Sequence, residues 1–413
     1  MKLNRKVVFS VLGVLLLSAC YKPTMTMPEA VKAGDMKAVQ YYLKHGVSVD
    51  TKDEKGVPLI FLAVEQGSPE MVNLLLAQYG SLTKEYEKDT ILTVAIKKGN
   101  LEIVKAVIAA DPALVKKTDE GGVSPLMLAS QKNAVDIIQA LLDGGAVINE
   151  MDKKENTALV HGAQASAFNA MRALIKAGAA VDLPDAQGET ALTIVSTKAD
   201  SAATIKALLE AGAKVNHQNH DNVTALISAV KNNNEEAVKA LLAGGANPDI
   251  RDFSANNALL YAVSGSSVAI VKDLLAAGAD PNVTDNKQES LLYILTNKPN
   301  AEIMNILIEA GADVNAVGSV KITPLASASF YGTTENVEAL LKAKANPNTV
   351  DFWGFTPLLR AVSGNYPEIV KLLLDAGANT NVKDDKGRTL LQIAKANKNE
   401  EMIKLLEQKG VRK

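Results

Sequence analysis

Residues 351–381 read DFWGFTPLLRAVSGNYPEIVKLLLDAGANTN, and this stretch decides the architecture. Thr356 followed by Pro357 marks a helix start. The threonine hydroxyl can accept a backbone N–H of the first turn, and a proline at the first helical position gives up an N–H that has no partner there anyway. Glu368 to Leu374 forms a second helix, with apolar residues at Ile369, Val370, Leu373 and Leu374, and Gly377 suits the left-handed site just past its end. Such a unit cannot bury its apolar stripe alone, so it needs neighbours of the same kind.

The neighbours are present. Leu358 recurs as Leu59, Leu92, Leu126, Leu159, Leu192, Leu226, Leu259, Leu292, Leu325 and Leu391, at intervals of 33 or 34 residues. Gly212, Gly278 and Gly311 repeat Gly377, and Thr323-Pro324 repeats Thr356-Pro357. A fixed period of this length means stacked supersecondary units. Eleven copies are legible, and Ala30 to Asp50 aligns as a partial first one. The unit resembles the ankyrin repeat, over essentially all of the chain after residue 25. That resemblance implies an all-α solenoid of about twelve stacked helix-turn-helix units with loop or hairpin tips, closed by capping repeats. It also implies a protein partner, bound on the concave side by two sets of positions: the x positions of Asp-x-x-Gly-x-Thr at the tips, and the outward positions late in each first helix.

Two departures from the family are visible. The His of its Thr-Pro-Leu-His motif is replaced in every copy, for example by Ile60, Met127, Ala326, Leu359 and Gln392, so the bonds it supplies between adjacent loops are not expected here. The third copy lacks the turn glycine in Glu85–Asp89 and has Asp111-Pro112 in place of Gly-Ala, which predicts a bend or local flexibility.

Composition agrees with a helical array. The chain is 47% hydrophobic and 22% charged, too apolar for disorder and too charged for a polytopic membrane protein, and an aromatic content of 4% disfavours a sheet sandwich. A formal charge of −2 gives no basic footprint for nucleic acid. The single cysteine, Cys20, excludes an internal disulfide and a thiolate zinc cluster.

Residues 1–19 read as an export signal: Lys2, Arg5 and Lys6 precede an apolar run, Val7 to Leu17, too short to span a bilayer. Leu17-Ser18-Ala19-Cys20 resembles the lipobox of bacterial lipoproteins, which implies acylation of Cys20 and cleavage before it; Tyr21 after it implies sorting to the outer membrane. Cleavage takes the net charge to −5, so acyl chains, at ~0.8 kcal/mol per buried methylene, would hold the protein rather than attraction to anionic lipid. The organisation expected is a signal at 1–19, a lipidated tether at 20–27 and repeats at 28–413, with Met25 or Met27 as internal starts for a shorter cytoplasmic form.

No catalytic constellation emerges. Of four histidines, only His217 and His220 cluster, in a loop where an ordinary polar role outweighs a metal site; no enzyme activity, cofactor, metal or small-molecule substrate is expected. Phe330 and Tyr331 fall on the outward positions of one first helix, Phe352, Trp353 and Phe355 on all three x positions of the next tip, and Phe253 at the matching tip of the eighth copy. In a chain so poor in aromatics, this density marks a contact surface rather than core. The resemblance to ankyrin-repeat lipoproteins implies two function classes: a periplasmic immunity protein that neutralises a secreted lipase-type effector, such as type VI secretion delivers, or an envelope scaffold with another protein partner.

Overall fold

The structure is a computed structural model that describes residues 21–79, 82, 85–318 and 320–411. The signal 1–19 and Cys20 lie outside the described residues. Among those described, helices follow one another in twelve pairs, from Met27–Lys32 with Met36–Lys44 to Leu390–Ala396 with Glu400–Gln408. No strand forms among the described residues; the tips at Lys52/Pro58, Thr284/Ser290 and Lys383/Thr389 each close with a single bridge. Among the described residues the first helix begins at Met27, capped by Thr26. The array divides into two compact units between Ala186 and Gln187. No helix among the described residues is long and apolar enough to cross a membrane.

Local chemistry repeats as the period requires. Thr157, Thr190, Thr224, Thr323, Thr356 and Thr389 each cap a first helix, the hydroxyl accepting the N–H three residues on. Past the second helices, Gly212, Gly278, Gly311 and Gly377 sit at φ +84° to +96°, where a side chain would be strained. The periodic leucines are the core: Leu59, Leu92, Leu126 and Leu159 are buried in one unit, Leu192, Leu226, Leu259, Leu292, Leu325, Leu358 and Leu391 in the other. Ile369, Val370 and Leu373 are fully buried, but Leu374 is only half-buried, since it falls at the edge of the stripe they define.

Other bonds do the work of the missing histidine. In the unit that begins at Gln187, Asn216, Asp249, Asn282, Asn315 and Asn348 each accept, through Oδ1, the backbone N–H of the residue 31 positions on, at 2.7–3.2 Å. In the other unit Asn149 accepts the N–H of Ala180 in the same way, at 2.9 Å. Tips are also tied by main chain: the N–H groups of His220, Phe253 and Phe352 donate to the carbonyls of Gln187, Asp221 and Val320.

The irregular third copy is built rather than loose where it is described. Tyr86 and Asp89 exchange both backbone bonds across Glu87 and Lys88, which take left-handed φ of +51° and +71° as a tight hairpin turn demands. Asp111 caps a 3-10 turn, Pro112–Lys116, that buries Leu114 and Val115.

Several tip and cap carboxylates are held below the ordinary aspartate value. At Asp53 the Lys32 ammonium dominates. At Asp152 and Asp384 burial pushes the pKa up, but bonds from Asn156, Lys154 and His161 in the one case, and from Arg388 and Lys386 in the other, outweigh it. Depressed native values mean stability that is complete above the unfolded-state value, about 3.8, and lost as pH falls through the native ones. Urea midpoints should therefore stay level from pH 7 to about 5 and fall below about 4; a midpoint that holds steady to pH 3 would contradict this.

Candidate protein-binding site

The site grows from the joint between the tenth and eleventh units. The helix Pro324–Tyr331 ends at Gly332, φ +77°, where a Cβ would lie 2.5 Å from the ring of Tyr366. Tyr366 also fills the space beside Gly364. The two glycines thus form a slot for one ring, which fixes where the helix stops and leaves Phe330 and Tyr331 on its last turn facing out. The next tip, residues 351–356, is shaped by Asp351: its Oδ1 accepts the N–H groups of Trp353 and Phe355, both at 2.9 Å.

Five aromatics lie on this tip and helix end. Phe330, Tyr331, Phe352 and Trp353 keep 49–71% of their surface exposed, and Phe355 is half-buried. Phe330 and Tyr331 meet edge to face at 5.2 Å between centroids, Phe352 and Trp353 at 5.9 Å. Phe253 is as exposed as Phe352 but stands three repeats away, so it is not part of the cluster.

The residue that sequence reading missed is Arg360. Its guanidinium carbon lies 5.3, 5.9 and 5.6 Å from the rings of Phe330, Trp353 and Phe355, so one cation joins the helix aromatic to the loop aromatics. It donates Nε–H to Asp351 Oδ2 at 2.8 Å, with a second donation from Nη2. The Asp351 side chain is fully buried and that of Arg360 is 12% exposed. The signal was a spacing of nine: Asp152 pairs with His161 and Asp252 with Tyr261 in the same register.

His217 and His220 serve the tips. His217 Nε2 lies 2.8 Å from the carbonyl of Gly188, and the His220 ring packs where a Cβ on Gly188 would fall. Each makes contacts of the ordinary structural kind.

Family models for ankyrin repeats in three copies match residues 60–152, 126–219, 197–285, 259–351, 291–384 and 325–413, and a model for ankyrin repeats in many copies matches 27–76. The chain belongs to the ankyrin-repeat family. Ankyrin repeats are protein-binding scaffolds, and the models matched indicate no catalytic family. In these terms the aromatic cluster of this ankyrin array occupies one tip and the end of the preceding first helix, two neighbouring parts of one edge.

Proposed function

We propose that the protein is a lipid-anchored binder of another protein, seated on Phe330, Tyr331, Phe352, Trp353 and Phe355. The observation that carries this is the cluster itself: exposed rings, pinned by a buried ion pair, in a chain that spends few aromatics elsewhere. Preorganised aromatic anchors of this kind dominate interface energies because little entropy is lost when they are covered.

The lipobox reading of Cys20 supports a place on the periplasmic side of the envelope, where an acyl anchor would hold an inhibitor in the path of an incoming toxin. The partner proposed is therefore a secreted lipase-type effector, which this protein binds and neutralises. Affinity capture from the producing cells with the full chain, in parallel with Trp353→Ala, tests it. Recovery of such an effector by the native chain alone supports the reading; recovery of a resident envelope protein instead returns the scaffold alternative.

Cys20→Ala should abolish acylation and membrane fractionation while leaving the helical circular dichroism unchanged, because the repeats begin at Met27. Palmitate incorporation into the variant would refute the anchor.

A further inference from the structure

Next to the cluster, the ninth unit has an unusually short first helix, Leu291–Ile294, running on into a 3-10 turn. Its neighbours have first helices of seven and eight residues. The shortfall leaves an open hollow of about 450 Å³ between the eighth and tenth units, lined among others by Leu260, Asp285, Glu289, Tyr293 and Tyr331. Tyr331, half-exposed, is shared by the hollow and the aromatic cluster.

The charges in this hollow are unbalanced. Asp285 spends Oδ1 on the N–H groups of Lys287 and Glu289, and Ile294 stands where Asp252 and Asp351 find Tyr261 and Arg360. Neither Asp285 Oδ2 nor the half-buried Glu289 carboxylate has a side-chain hydrogen bond or ion pair among the described residues. Burial first, and Asp285 second, push the Glu289 carboxyl up, while Lys287 opposes them only in part. The eighth and eleventh units complete the same arrangement with a cation. Lys231 Nζ lies 5.0 Å from the ring of Tyr261, which donates to Asp252, and Arg360 lies over three rings while bonded to Asp351. The ninth unit offers two carboxylates and tyrosine rings against a single lysine, Lys287, which lines the hollow without an ion pair to either carboxylate among the described residues.

We propose that the hollow receives a lysine or arginine side chain of the bound protein, next to an apolar side chain that lies on the aromatic cluster. Carboxylate and ring together suit an ammonium or guanidinium group, and a cation at this place relieves the repulsion between Asp285 and Glu289. This rests on the binding reading above and specifies what that surface recognises: a basic residue beside an apolar one.

Selection of short random displayed peptides on the purified full chain tests it without the natural partner. Selected peptides should pair Lys or Arg with Leu or an aromatic. Their affinity should fall about tenfold or more in Glu289→Lys, fall less in the milder Glu289→Gln, and recover in Glu289→Lys when the peptide's basic residue is changed to Glu. Peptides that depend on Trp353 but carry no basic residue, or basic peptides indifferent to both Glu289 variants, overturn the inference and leave the binding reading standing. Peptides that bind Trp353→Ala as tightly as the native chain overturn that reading, and the inference with it.

Discussion

Arg360→Ala is expected to destabilise the C-terminal repeats by about 3 kcal/mol, the low end of what removing one member of a buried ion pair costs. The variant leaves the Asp351 carboxylate out of water with only the N–H groups of Trp353 and Phe355 for company. Asn219 shows the remedy: at the same tip position it makes the same two backbone bonds, at 2.8 and 3.0 Å, with no charge. Asp351→Asn combined with Arg360→Ala should therefore recover most of the loss, a coupling that a double-mutant cycle in urea measures directly. Since stability in a repeat array is shared between neighbours, faster amide exchange should concentrate in residues 351–411 and fade towards the seventh unit. A loss below about 1 kcal/mol would place the pair among exposed salt bridges.

Trp353→Ala should weaken partner binding by about 2 kcal/mol or more while folding stays nearly unchanged. The indole is 54% exposed, and its backbone N–H bond to Asp351 survives the substitution, so the tip keeps its shape. What is lost is the ring that faces Arg360 on one side and Phe352 on the other. Titration calorimetry with the captured partner, alongside a urea melt, separates the two effects. Native affinity in both Trp353→Ala and Tyr331→Ala, or unfolding in either, would mean that these rings serve packing and not recognition.

Much of this was legible in the chain because each unit states its own rules locally. Thr356, Pro357, Leu358 and Gly377 act through their own turn or cap, so their period sufficed to place every helix pair. The aromatic positions were readable for the same reason, since alignment of the units puts them at tips and helix ends. Arg360 was not, because its partners come from three places: a tip carboxylate nine residues earlier, two rings of the same tip and one of the preceding unit. The Asn and Asp rungs also escaped notice, although 216, 249, 282, 315 and 348 keep the 33-residue step; such a residue in a loop reads as solvation until the N–H that donates to it is seen on the next unit. The ninth hollow depends on a helix ending early, which residues 291–297 do not announce by Gly or Pro.

The rungs have an evolutionary consequence. Every unit from Asp249 to Asn348 offers one acceptor to the unit ahead and donates one N–H to the unit behind in the same register, so the step between units carries no address. A gene segment encoding one period can be duplicated or lost there and the seam will still close. The Phe330–Arg360 contact has no such freedom, because it joins two different neighbours that must stay adjacent. Length changes in descendants of this gene should accumulate on the Gln187 side of that joint and spare the joint itself.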